Sequence, residues 1–179
     1  ILVSNFAEFL RPYSCHVIIK VSTLFMTDMN KLREVLTQLS DQQKLHLLQQ
    51  YYSGRKRPLR CAAYRDHTEI ISTLLTSLQS SADRLKLLMV DKYDTALHVA
   101  ARFGHTESVK MILSCLTANQ QIHLMSVQSG AGRTAIQIAE RRRRTDTVIV
   151  LRDYQQRADN LMREQEQRRR QEQQRINEE

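Results

Sequence analysis

The stretch that decides the fold reads Thr95-Ala-Leu-His-Val-Ala-Ala-Arg-Phe-Gly-His-Thr-Glu-Ser-Val-Lys-Met-Ile-Leu113. Physically it is two short helices around a turn. The pair Ala100-Ala101 gives the first helix a bare face, so another helix can approach near the short end of the usual ~8–10 Å. Gly104 supplies the left-handed residue that ends this helix. Thr106 is placed to N-cap the second helix, with Glu107 in its first turn answering the dipole. Val109, Ile112, Leu113 and Leu116 then fall at i, i+3, i+4 and i+7, one apolar stripe. One such pair cannot enclose a core. Stacked copies can.

Copies are present. Arg57-Pro-Leu-Arg-Cys-Ala-Ala63 begins 38 residues before Thr95, and Thr134-Ala-Ile-Gln-Ile-Ala-Glu140 begins 39 after it. Behind the three come His67-Thr-Glu-Ile70, His105-Thr-Glu-Ser108 and Arg144-Thr-Asp-Thr147. A further block recurs as Leu45-His-Leu-Leu48, Leu85-Lys-Leu-Leu88 and Ile122-His-Leu-Met125. Blocks returning in one order indicate duplication. The central copy resembles the ankyrin-repeat pattern T-P-L-H-x-A-A-x-x-G-H. Its neighbours are looser: Asp66 and Arg143 stand for the turn glycine, Arg60 and Gln137 for the histidine, and Glu140 for the second alanine. The resemblance covers residues 26–154, counting a degenerate first unit with Leu32, Val35, Leu36 and Leu39 as its stripe. It implies an all-α, ankyrin-type helical repeat solenoid with short hairpin connections.

The period exceeds the family's ~33 residues by about five or six. The surplus follows each second helix, and Ser40/Gln43 and Thr117/Gln120 are capping-box spacings within it. These predict a short third helix per unit, its Leu-x-Leu-Leu end packed under the second helices on the convex side. From Arg133 onward there is neither Gly nor Pro, so the helix starting near Thr145 is expected to continue through the tail. Asp159/Arg163, Glu164/Arg168 and Glu166/Arg170 are acid-first i, i+4 pairs along it. Ala158, Leu161, Met162 and Ile176 form no heptad stripe, so a projecting, solvated C-terminal helix is expected rather than a coiled coil. The expected organisation is a cap or degenerate repeat over residues 1–25, the array over 26–154, and a charged Gln/Arg/Glu-rich helical tail over 155–179.

Composition agrees. A chain of 179 residues suits one domain with an appendage, and 4 Gly with 2 Pro argue against a many-stranded β architecture. The net charge of +8 lies wholly before the tail, where six basic residues meet six acidic ones. Three cysteines without CxxC spacing argue against a disulfide scaffold and place the chain in a reducing compartment, the cytoplasm, with the nucleus as the alternative. Cys61 and Cys115 sit on apolar faces and read as core residues. Residues 17–26 are apolar but interrupted by Lys20, too short for the ~20 residues of a membrane span. They read as an end cap in preference to a signal peptide. The first residue is Ile1 rather than Met, so a longer parent chain is expected.

No phosphate-cradling glycine loop, nucleophile elbow or paired-carboxylate motif is found, so neither catalysis nor a cofactor is expected. The resemblance implies structural roles for His98 and His105, and no metal site is expected from their spacing. It also implies binding through a concave face of hairpin tips and first-helix ends. Carried onto this sequence, the helix ends are Tyr64-Arg65, Arg102-Phe103 and Arg141-Arg142, and the tips include Lys56, Lys92, Asp94 and Arg133. This ladder of arginines with two aromatics holds residue types enriched in interface hot spots. The expectation is a monomeric, non-catalytic protein-interaction module for an acidic segment. The alternatives are nucleic-acid binding by the same face, or a structural spacer in a larger protein. Arg141-Arg-Arg-Arg144 itself reads as a polar C-terminal cap, an acidic-partner contact, or a nuclear-import or nucleic-acid patch.

Overall fold

The computed structural model describes residues 29–49, 57–89, 91 and 94–178. The cap segment 1–25, Cys15 and the hairpin residues Lys56 and Lys92 lie outside them. Among the described residues there are ten helices and no strand. They are α1 (Met29–Thr37), α2 (Asp41–Gln49), α3 (Pro58–Tyr64), α4 (Thr68–Thr76), α5 (Ser81–Met89), α6 (Ala96–Phe103), α7 (Thr106–Ser114), α8 (Ala118–Ser126), α9 (Ala135–Arg141) and α10 (Thr145–Glu178). The first helices of successive units, α3, α6 and α9, stack in one row, and the second helices α4, α7 and α10 in another.

The alanines explain the first row. Ala62, Ala63, Ala100, Ala101 and Ala139 are buried, each with only a methyl between neighbouring helices. The second row contributes bulk: Ile71, Leu74, Leu75, Ile112, Leu113 and Leu151 are all fully buried. Between the rows each unit reverses through a left-handed residue, Asp66 (φ 57°), Gly104 (φ 79°) and Arg143 (φ 55°). The two non-glycine replacements therefore keep the glycine's backbone. Thr106 is not the N-cap of α7; His105 holds that position and Thr106 is the first helical residue. The Thr106 hydroxyl instead meets Thr147 Oγ1 of the next unit at 3.1 Å.

The inserted segments are helices α2, α5 and α8. Ser40 and Thr117 close the expected capping boxes: the Ser40 N–H donates to Gln43 Oε1 at 2.9 Å and the Thr117 N–H to Gln120 Oε1 at 3.1 Å. Leu48, Leu88 and Leu124 are buried at their ends. These helices stack on one another as a third row; α2 and α8 also touch the following first helix, and α8 packs most extensively along α10.

A polar side chain early in each inserted helix ties the rows together. Lys44 Nζ donates to the Ser77 carbonyl at the end of α4 (2.9 Å), and Arg84 Nη1 to the Cys115 carbonyl at the end of α7 (3.3 Å). Each satisfies a carbonyl that a helix end leaves open, in the next unit along. Gln121 turns back to Leu113 and Leu116 of its own unit, because α10 has no end there to cap. Asp41 accepts from the Gln79 N–H and from Lys44, and these bonds hold its carboxyl below the usual range.

α10 is continuous from the array into the tail. Its first turns pack on α7 and α9, and its continuation packs along α8. Ala158 is buried and Met162 half-buried, so the helix projects only beyond Met162 and not from residue 155. Of the three tail pairs read from the sequence, only Glu166–Arg170 closes, at 2.9 Å. Cys61 and Cys115 are half-buried rather than fully in the core. No helix among the described residues is long and apolar enough to cross a membrane.

Leu113 is fully buried between the rows. Leu113→Ala is expected to destabilise the protein by about 2–5 kcal/mol, read as a lowered midpoint in urea unfolding. An unchanged midpoint would mean that this face does not carry the stack.

Candidate functional site

The site read from the sequence depends on how the repeats fix their own ends. In α6 the Thr95 hydroxyl accepts from the His98 N–H, and the Thr95 N–H donates to His98 Nδ1 at 3.2 Å. An amide hydrogen pointing at Nδ1 makes that nitrogen the acceptor, so Nε2 carries the proton. It donates to the Val127 carbonyl in the next hairpin at 3.0 Å. Burial holds the His98 pKa below the ordinary 6.5, so the ring is neutral. In the last unit Gln137 makes the same box with Thr134. His105 Nε2 reaches the Tyr64 carbonyl at 3.2 Å, and Arg144, which holds the position of His105, reaches the Arg102 carbonyl at 3.5 Å.

Arg144 is thus a substitute for a repeat histidine more than a member of a free basic run. Its side chain also covers Gly104, where an added Cβ would stand 2.8 Å from Arg144 Cδ. Arg141, Arg142 and Arg143 are exposed.

The ladder residues divide into two groups. Tyr64 and Phe103 meet edge to face, with ring centroids 4.8 Å apart, and Phe103 also stacks on His105 at 5.9 Å. Both rings remain open, 48% and 37% exposed, so the aromatic pair is only partly used in packing. Arg65 lies beside it, exposed. The second group surrounds a cavity of about 260 Å³ between the last hairpin and the ends of α6 and α9. Arg102, Arg133, Arg141 and Arg142 line it, with Ser129, Ala131 and Ile138. Asp94 is not in its wall but pairs with Arg102 at 2.8 Å.

Ser129 and Ile138 were not legible as site residues. Ser129 earns its place as the closure of the hairpin: its N–H donates to the Arg133 carbonyl and its carbonyl accepts from the Gly132 N–H, each at 2.8 Å. The hairpin sequence Ser129-Gly-Ala-Gly-Arg133 was the available signal.

Arg57, aligned with the capping threonines, does not cap α3 with its side chain. It donates to the Gln49 carbonyl at 2.8 Å and forms a buried ion pair with Asp91 of the following hairpin. Among the described residues no group of three His, Cys, Asp or Glu side chains is arranged to hold a metal ion.

A family model described as ankyrin repeats (3 copies) matches residues 29–124, just over half of the chain. The chain belongs to the ankyrin-repeat family. Among solved structures it is similar to a chain in the crystal structure of the yeast ribosomal protein Rps3 in complex with its chaperone Yar1. That likeness has a TM-score of 0.60 at 20% identity and covers 77% of this chain and 92% of the other. No curated protein matches the sequence. The family match stops at Leu124, yet α9 and the start of α10 continue the ankyrin stack. The last unit has lost the family's letters and kept its hydrogen bonds.

The neutral His98 gives the ankyrin stack a pH dependence with a definite sign. Its folded pKa is below the unfolded 6.5, so its contribution is complete above 6.5 and is lost as pH falls through the window beneath it. His98→Gln keeps the capping box, as Gln137 does, and loses the bond to Val127, about 1 kcal/mol at pH 7.5. Urea unfolding at about pH 7.5 and 5.5 is expected to show a smaller loss on acidification in the variant than in the parent. Equal losses would mean that His98 does not titrate with unfolding.

Proposed function

We propose that this chain is a non-catalytic protein-interaction module that holds an acidic partner segment against its arginine-lined face. Membership of the ankyrin-repeat family supports the interaction role, and the similar fold occurs in a crystal structure of a protein bound to its chaperone. The observation that carries the acidic preference is the charge balance of the cavity. Four arginines line it, and among the described residues Asp94 alone forms an ion pair with any of them.

Part of the face is held in advance: the Arg133 backbone by the hairpin that Ser129 closes, and the Arg102 side chain by Asp94. The open Tyr64–Phe103 pair offers apolar contact beside this charge, and arginine with aromatics is the usual composition of interface anchors. The tail is a poor competitor for this role, since its opposite charges balance along an exposed helix.

The test is capture of partners from nuclease-treated cell extract by the full chain. Arg102→Ala combined with Phe103→Ala is expected to weaken capture by about 2 kcal/mol or more, roughly thirtyfold, with the helical circular-dichroism signal retained. Arg168→Ala is expected to have no effect. Capture that survives the double change but fails when residues 163–179 are removed would move the site to the projecting helix. Capture seen from untreated extract but absent after nuclease treatment would favour nucleic acid.

A further inference from the structure

Resting on that reading, the geometry points to a more particular ligand: the arginine cavity takes a phosphomonoester, a phosphorylated side chain of the partner segment. Arg141 and Arg142 alone would be unremarkable, because basic residues at the end of α9 answer its dipole. Arg102 answers the dipole of α6 in the same way and is paired with Asp94, but Arg133 comes from the hairpin and has no place in that account. The four come from three elements and line one space of about 260 Å³.

Charge decides between candidate anions. Asp94 offsets one of the four arginines, leaving about three positive charges around the cavity. Glu140, on the same helix as Arg141, is taken by Arg152 at 2.6 Å, so it does not neutralise them. A carboxylate would leave about two charges unbalanced and offers two acceptor oxygens. A phosphomonoester brings about −1.5 to −2 at neutral pH and three terminal oxygens. Each guanidinium presents a planar fork of N–H donors that matches a phosphate bidentately. Arginines drawn from three elements favour an anion with acceptor oxygens in several directions over a flat carboxylate. The backbone favours the same occupant. The Asp94 pair holds the Arg102 side chain and the Ser129 turn holds the Arg133 backbone, so part of the site is organised before any ligand arrives.

The experiment uses the full chain and short degenerate peptide libraries centred on phosphoserine, glutamate or serine, with binding read by fluorescence anisotropy. Inorganic phosphate and a single-stranded RNA oligomer serve as competitors. The phosphoserine library is expected to bind about tenfold tighter than the glutamate library. Arg133→Gln and Arg141→Gln should each remove that margin, and Arg168→Gln should leave it. Arg141→Lys, which restores charge without the fork, should recover less than half of it. Inorganic phosphate should compete.

Equal binding of the phosphoserine and glutamate libraries, both sensitive to Arg141→Gln, would overturn the phosphate assignment and leave the acidic-segment reading standing. Binding of both libraries that is insensitive to every cavity arginine would overturn the two together. An RNA oligomer that displaces the peptide at lower concentration than inorganic phosphate would overturn the phosphopeptide in favour of nucleic acid.

Discussion

The structure depends on a backbone reversal repeated once per unit. After each first helix one residue adopts a left-handed conformation, at Asp66, Gly104 and Arg143. The next N–H then turns back onto the helix: His67 to the Ala62 carbonyl, His105 to Ala100 and Arg144 to Ala139, at 2.9–3.0 Å. For a non-glycine residue this conformation costs roughly 1–2 kcal/mol. It persists at Asp66 and Arg143 because neighbours over-determine it. Asp66 accepts from Ser108 Oγ of the next unit at 2.6 Å, and the following Arg144 is anchored on the Arg102 carbonyl. Without the reversal the two rows of helices could not face one another, and the alanines of the first row would have nothing to approach.

The inserted helices show how a longer repeat is accommodated without breaking the stack. Each adds a third row with its own buried leucines, and each sends a polar side chain to a helix end. Lys44 and Arg84 serve the unit ahead of them, so the cross-links run in one direction along the array. At the last unit the recipient end disappears, since α10 simply continues. A helix that does not end needs no cap. The same continuity makes α10 an end-piece for the array: it covers α7 and α9 with its first turns and α8 with the next.

The arginine cavity is a product of that ending. In the central unit the positions after the first helix are glycine and histidine, both engaged in the turn. In the last unit Arg143 and Arg144 stand there, Arg141 and Arg142 take the places of Arg102 and Phe103, and α10 follows. Arg144 is absorbed by the histidine's bond, while Arg141 and Arg142 remain beside the hairpin that carries Arg133.

Much of the fold was legible in the sequence, because repetition multiplies weak signals. A capping box, an alanine pair or a leucine stripe says little once and a great deal three times at a fixed spacing. The three helices per unit, the left-handed replacements and the long last helix all follow from local rules of this kind. Thr106 was misread because a hydroxyl before an acidic residue is a local N-cap signal, whereas the tertiary structure uses it to reach Thr147. Where the tail leaves the body was likewise undecidable from composition, since the burial of Ala158 depends on α8 lying beside it. The site divides in the same way. Its residue types could be named from their places in the repeat. That Arg102, Arg133, Arg141 and Arg142 line one cavity, while Tyr64 and Phe103 pair apart from it, was decided only by the tertiary structure. Which residues of successive units become neighbours depends on the angle between those units, and that angle is set by packing across the whole stack rather than by any one segment.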